Sequence, residues 1–453
     1  MSITSLSALD GRYQGAVAPV ADIFSEYGLI RHRVFVEIKW LKFLAHDLAL
    51  CHVNDSEIAR IDAIYEKFGP EQARSVKEIE KKTNHDVKAV EYYIRQRLEE
   101  TGLLQLREWV HFACTSEDIN NCSYALMLEK GRLVINDALS AVIVRLEDMA
   151  KKYKSLPMMA RTHGQPATPT TLGKEFVNFA WRLSMEAEKF RSATLSCKMN
   201  GASGNFNAHV FAFPNIDWIG ACQKFISRDL GLAPLLYTTQ INPYHYIAEL
   251  LHVLTRIAAT LLDLNRDAWG YISMGYFRQK IRAGEVGSST MPHKVNPIDF
   301  ENSEGNMGLA VCLMNHIAVK LLQSRFQRDL SDSTVLRNLG VIFGYLLVGF
   351  KSTLKGLDKI EVNEDVIAGD LVANPALVAE PIQTVMRVYG VENAYEKLKA
   401  LTRGRELKRE TIGRFIDGLD GLPEAVRARM KALGAADYTG LAEALVDNYF
   451  SKR

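Results

Sequence analysis

The strongest constraint on the fold of this chain is where its prolines are not. Only 13 occur in 453 residues, and none lies between Pro70 and Pro157, between Pro243 and Pro292, or between Pro297 and Pro375. Proline removes a helical hydrogen bond and clashes with the preceding turn, so long proline-free tracts leave room for long helices. Those tracts also carry apolar residues at alternating spacings of four and three. One series is Ile135, Leu139, Val142, Leu146, Met149 and Tyr153, and a second is Leu172, Phe176, Phe179 and Leu183. A third runs Ile247, Leu250, Leu254, Ile257, Leu261 and Leu264, and a fourth Leu336, Leu339, Phe343, Leu346 and Phe350. Such stripes belong to helices packed nearly parallel in a bundle. Alternating β-branched runs are almost absent. The expected fold is therefore all-α, with three helical domains. Residues 1–108 read as shorter helices, 109–358 as a central bundle of very long helices that also drives self-association, and 359–453 as a small C-terminal helical unit.

One stretch breaks this pattern. Gly284, Gly287, Pro292 and Pro297 rule out both a continuous helix and a central strand across 284–297. Between them lie Ser288, Ser289, Thr290, His293, Lys294 and Asn296, a density of reactive groups that a plain connecting loop does not need. This reads as a catalytic loop.

Other polar clusters fall at helix-start signals. Asp10-Gly11-Arg12-Tyr13 suits an ordinary turn, or an anion site built on the arginine fork. In Thr83-Asn84-His85-Asp86, Thr83 or Asn84 serves as a helix cap, yet a cap alone does not explain Asn, His and Asp in succession. Thr115-Ser116-Glu117-Asp118 suits the first turn of a long helix, where hydroxyls also bind carboxylate or phosphate. Arg161-Thr162-His163-Gly164-Gln165-Pro166 reads as a rigid loop whose histidine is flanked by polar groups rather than by an apolar face. The segment Arg325–Asn338 puts three arginines beside Ser331, Ser333 and Thr334, which suits a phosphate or dicarboxylate.

Several function classes are disfavoured. A net charge of +2 on this length gives no bulk attraction to nucleic acid or to an anionic membrane. The N-terminus lacks a basic region followed by an apolar run, and the six cysteines are scattered without metal spacing, so a reducing, cytoplasmic setting is expected. No dinucleotide, Walker, zinc-protease or nucleophile-elbow motif occurs, so no cofactor and no metal is expected, and the chemistry falls to side chains. Loop hydroxyls, a placed histidine and several anion sites fit acid–base chemistry on a small polyanion. A serine can act as base only if a cation favours its alkoxide, and Lys294 is available for that. His163 is the first candidate for the acid, and His85 is an imidazole of the same titration range that only geometry can separate from it.

Gly287-Ser288-Ser289-x-Met291-Pro292-x-Lys294-x-Asn296 resembles the signature of the fumarase/aspartase superfamily, whose members eliminate fumarate or a close relative. With His293, the tetrad at 83–86, the tetrad at 115–118 and the hexad at 161–166, the chain is similar to the adenylosuccinate lyase family, in its bacterial form, from Asp10 to about Lys408. The family often has a proline shortly before Asp-Gly-Arg-Tyr, where this chain has Ser7-Ala8-Leu9.

The resemblance implies cleavage of adenylosuccinate to AMP and fumarate, and of SAICAR to AICAR and fumarate. It implies Ser288 as general base, His163 as general acid, His85 as a second histidine, and Lys294 and Glu301 as supports of the loop and the acid. Substrate contacts are implied for Arg12, Tyr13, Asn84, His85, Asp86, Thr115, Ser116, Gln240, Asn302, Arg328, Ser333, Thr334 and Arg337. A homotetramer is implied too, with active sites that draw residues from three subunits. Two rival readings are a different fumarate-releasing lyase, acting on argininosuccinate or malate, and a crystallin-like structural protein. The arginine and hydroxyl clusters that suit a phosphate weigh against the first, and the intact Ser288, His163, Lys294 and Glu301 against the second.

Overall fold

A computed structural model of the chain describes residues 3–280, 291, 294–402 and 408–452. Helices dominate it, in agreement with the all-α expectation. Among the described residues six run to 21 residues or more: Glu26–His46, Ser116–Lys152, Leu172–Ser192, His245–Ser273, Ile298–Lys320 and Leu339–Lys359. Every member of the four apolar series is buried, with Ile135, Leu139, Leu254 and Phe343 fully enclosed. Ile298–Lys320 buries Met307, Ala310, Met314 and Ile317 at the same spacings of three and four, a fifth stripe that the sequence reading did not single out because small residues thin it. The stretch Ser331–Lys359 is apolar and long enough to cross a membrane by composition, yet more than half of its most apolar part is buried inside the protein.

The described residues group into two compact units. The first comprises Met1–Leu139, Glu186–Leu262 and Asn302–Lys351, and the second Ser140–Met185, Asp263–Glu301 and Ser352–Arg453. In the first unit, Glu26–His46, longer than the short helices expected in 1–108, shares an apolar cluster built on Ile30, Val34, Ile61, Val90 and Ile94 with the shorter Asp55–Glu66, Pro70–Thr83 and Asp86–Glu100. In the second, Ile382, Met386, Ile412 and Ile416 centre another cluster near the C-terminus.

Close approach to the helix Leu339–Lys359 depends on glycine. A Cβ on Gly340 would lie 2.5 Å from Cβ of Phe24, and one on Gly344 would lie 2.8 Å from Leu9. Spaced one turn apart, these glycines form a slot on one helix face into which Phe24 and Leu9 pack.

Strands are few but not absent. Pro157–Thr162 and Gln165–Thr171 pair antiparallel, with Thr162 opposite Gln165, so His163-Gly164 is a two-residue hairpin turn rather than a rigid loop. Both turn residues have left-handed φ, 54° and 73°, as such a turn requires. Pro166 and Pro169 are tolerated because each strand of a two-stranded ribbon has an unpaired edge.

The glycine slot generates a stability prediction. Gly340→Ala forces Phe24 away from the helix, and overpacking of this kind costs about 1–3 kcal/mol. A thermal melt of the variant is expected to show a lower midpoint, and an unchanged midpoint would show that Phe24 can yield freely.

Candidate active site

Asn84 does not cap the helix that follows it. It ends Pro70–Thr83 in a left-handed conformation, φ 51°, and the sharp turn makes His85 the N-cap of Asp86–Glu100. Nδ1 of His85 accepts the Lys88 N–H at 3.1 Å. The proton of the neutral ring is thereby assigned to Nε2, on a side chain that is 51% exposed. The neighbouring Asp86 accepts from Arg33 at 2.7 Å and from Arg337 at 2.9 Å. Burial works to raise the Asp86 pKa, but the Arg33 charge and hydrogen bond, the Val87 N–H and Arg337 outweigh it and hold the carboxyl at about 2. Arg33 is itself buried and donates Nε to Asn120 at 2.8 Å, while Arg337 is shared with Glu26 at 2.9 Å.

At the N-terminus, the Tyr13 hydroxyl donates to Asn302 Oδ1 at 2.7 Å, and Arg12 beside it is exposed. Thr115 and Ser116 stand where the 37-residue helix Ser116–Lys152 begins. The Thr115 N–H donates to Asp118 Oδ2 at 2.8 Å. Asp118 is fully buried and also accepts from Lys198 Nζ at 2.7 Å and from the backbone N–H groups of Asn200 and Gly201 at 3.2 Å each. Lys198, equally buried, gives its other protons to Asn200 Oδ1 at 3.0 Å and the Gly201 carbonyl at 3.1 Å.

The next residue, Ala202, accepts from Gln240 Nε2 at 2.9 Å, and Gln240 Oε1 accepts from Arg328 at 3.5 Å. Arg328 also lies 3.7 Å from Glu117, which neighbours Asp118. Ser333, half-buried, and Thr334, exposed, lie on the short helix Ser331–Leu336, with Arg337 at its C-cap.

In the second unit, His163 occupies the exposed tip of its hairpin. Arg161 ties that hairpin to Asp370 at 2.6 Å, and Thr168 donates to Glu380. Glu301, in the first turn of Ile298–Lys320, accepts from the Trp269 indole N–H at 3.2 Å. Lys294 is exposed, and its backbone N–H donates to the Met291 carbonyl at 3.0 Å. Ser288 lies outside the described residues, as do Pro292 and His293.

Among the described candidates, then, the structure joins Asp86 to Arg337, Tyr13 to Asn302, and Gln240 to Arg328. It adds groups that motif reading passes over: Arg33 behind Asp86, Lys198 behind Thr115, and Glu37, which accepts both the backbone N–H of His111 at 3.1 Å and its ring Nδ1 at 2.6 Å. A signal existed for Lys198, a lone charge between Cys197 and Met199 in a segment that reads as core, because a buried charge must find a partner.

A lyase family model matches residues 11–312, and a model described as adenylosuccinate lyase C-terminal matches residues 324–439. Adenylosuccinate lyase of Escherichia coli (strain K12) is 50% identical over 451 residues, covering 98% of each chain. The enzyme of that name from Vibrio cholerae is 49% identical, covering 98% of this chain and 99% of its own. Among solved structures, a fumarate lyase from Mesorhizobium sp. BNC1 superposes with a TM-score of 0.78 at 16% identity, covering 96% of this chain and 98% of its own. A 3-carboxy-cis,cis-muconate lactonizing enzyme from Pseudomonas putida gives 0.77 at 21% identity, covering 96% of each chain. These two support the fold.

The Asp86 geometry has a measurable consequence. A carboxyl whose folded pKa is depressed adds stability that is present above its unfolded pKa near 4 and lost as pH falls through about 2. Asp86→Asn is expected to lower the unfolding free energy at pH 7 by about 2 kcal/mol, with the difference closing towards pH 2. Denaturant titrations at several pH values test this, and a pH-independent gap would contradict it.

Proposed function

The chain belongs to the adenylosuccinate lyase family, and from that membership we infer that it eliminates fumarate from adenylosuccinate, leaving AMP. The observation that carries this reading is half identity over nearly the whole length of both chains, with the motif residues intact. We extend the same β-elimination to SAICAR, giving AICAR and fumarate.

In this reading Ser288 takes the proton from the carbon beside a carboxylate, and Lys294 favours the serine alkoxide. The electron pair left behind forms the carbon–carbon double bond of fumarate as the carbon–nitrogen bond breaks. His163 supplies the proton that the departing nitrogen requires, with Glu301 in support. His85 is the second histidine, and its Nε2–H, assigned by the Lys88 contact, is its free donor. Arg12, Tyr13, Asn84, Asp86, Thr115, Ser116, Gln240, Asn302, Arg328, Ser333, Thr334 and Arg337 make up the substrate grip. Anionic groups pair best with arginine forks and helix-start hydroxyls, which is the chemistry gathered around Arg328 and Arg337.

We further propose a homotetramer in the cytoplasm with active sites shared between subunits. Exposed apolar residues on long helices, among them Leu133, Val144, Trp181 and Leu309, support self-association. The division into 1–108, 109–358 and 359–453 is kept as part of the proposal, and the separate apolar clusters near each end support its outer two regions.

Purified protein incubated with adenylosuccinate, argininosuccinate, malate or aspartate should release fumarate from, or otherwise consume, only the first. Turnover confined to argininosuccinate, or none at all, would overturn the reading. Ser288→Ala and His163→Ala should each reduce kcat by at least about 100-fold with assembly intact by light scattering. Near-normal turnover in either variant removes the role given to that residue.

A further inference from the structure

Among the described residues, Arg328 is surrounded by acceptors but bound tightly by none. Charge-assisted hydrogen bonds run to about 2.7–2.9 Å. The guanidinium of Arg328 instead lies 3.5 Å from Gln240 Oε1, 3.7 Å from Glu117 Oε2 and 4.0 Å from Asp332 Oδ2. Arg337, by contrast, holds Asp86 and Glu26 at 2.9 Å each. Glu117 is 1% exposed and Asp332 2% exposed, so neither carboxylate has bulk water to stabilise its charge. The short contact of Glu117 is to the Tyr244 hydroxyl, at 2.5 Å, with the Asn242 N–H at 3.4 Å. Its charge therefore leans on Arg328, which an anionic ligand can take away.

We propose that Glu117 is a positioning residue that holds Arg328 loosely in the free enzyme, yields it to the anionic substrate, and takes up a proton in exchange. The inference rests on Arg328 being part of the substrate grip. No covalent step is involved: a proton passes from solvent to the carboxylate as the guanidinium turns to the ligand.

The charged and titratable groups that face Glu117 agree with this direction. Burial is the main effect and pushes its pKa up, to about 7. The Tyr244 hydrogen bond, Arg328 and Lys198 oppose that rise, and Asp332 adds to it. Lys198 is already committed to Asp118, and Tyr246, also buried nearby, is a weak acid whose own pKa is raised, mainly by burial. Withdrawing Arg328 thus removes the largest cationic support of the Glu117 carboxylate, which is protonated as a result.

The test is AMP binding by calorimetry at pH 7, in two buffers of different ionisation heat, on the wild-type enzyme and on Glu117→Gln. Gln keeps the acceptor for Tyr244 but cannot titrate, and protons exchanged by the AMP phosphate itself cancel between the two proteins. Wild type should take up roughly half a proton per site more than the variant. Equal uptake by both overturns the proposal. If Glu117→Gln does not fold, Tyr244→Phe serves instead: loss of its hydrogen bond moves the pH of maximal uptake upwards, and an unmoved maximum overturns the proposal. Arg328→Met separates the two layers. AMP affinity unchanged in that variant removes Arg328 from the grip and the proposal with it, whereas weakened affinity beside equal proton uptake removes the proposal alone.

Discussion

A single buried ion pair organises much of the described site. Taking Lys198 and Asp118 out of water costs several kcal/mol for each ion, and only complete pairing offsets that. Here the pairing is complete on the lysine side, with three acceptors for three protons. The aspartate binds the N–H of Thr115 as well as those of Asn200 and Gly201. The start of the longest helix and the glycine-containing segment at 200–204 are therefore fixed against each other. Thr115, Ser116 and Glu117 follow from the first of these, and Gln240, held by Ala202, from the second. Leaving either charge alone would cost about 3–5 kcal/mol, so the arrangement is close to all-or-none.

The fold was largely legible in the chain, because proline spacing and a period near 3.6 are properties of the backbone and its burial that need no partner to be read. All four apolar stripes are buried, and they are helical apart from Tyr153, just past the end of Ser116–Lys152, while the fourth begins on the short helix Ser331–Leu336. Ile298–Lys320 carries the same spacing in Met307, Ala310, Met314 and Ile317, a stripe of small and flexible side chains that stands out less. The reading of 157–171 as a loop failed. Two prolines and a Gly look like loop, and only pairing between the two halves makes them a hairpin.

The site was legible in part. Motifs marked Asp86 and Arg328, and the family resemblance marked Gln240, but neither could show that Arg33 stands behind Asp86 or that Lys198 stands behind Thr115. These are contacts across 53 and 80 or more residues of sequence, and no local pattern reports them. Capping was also misjudged, since Asn84 takes the left-handed conformation that Asn tolerates well, and this hands the cap to His85. A cap of that kind ties a candidate proton carrier to the backbone through one ring nitrogen and leaves the other free.

The hairpin that carries His163 has a further consequence. Its tip holds the imidazole, but its footing is Arg161 on Asp370 and Thr168 on Glu380, in a region of the chain with no reactive motif of its own. The placement of the proposed acid thus rests on residues to which no chemical role is assigned. A truncation or lesion around 364–388 could silence the enzyme while every signature residue stayed intact, and a search for damage confined to the motifs would miss it.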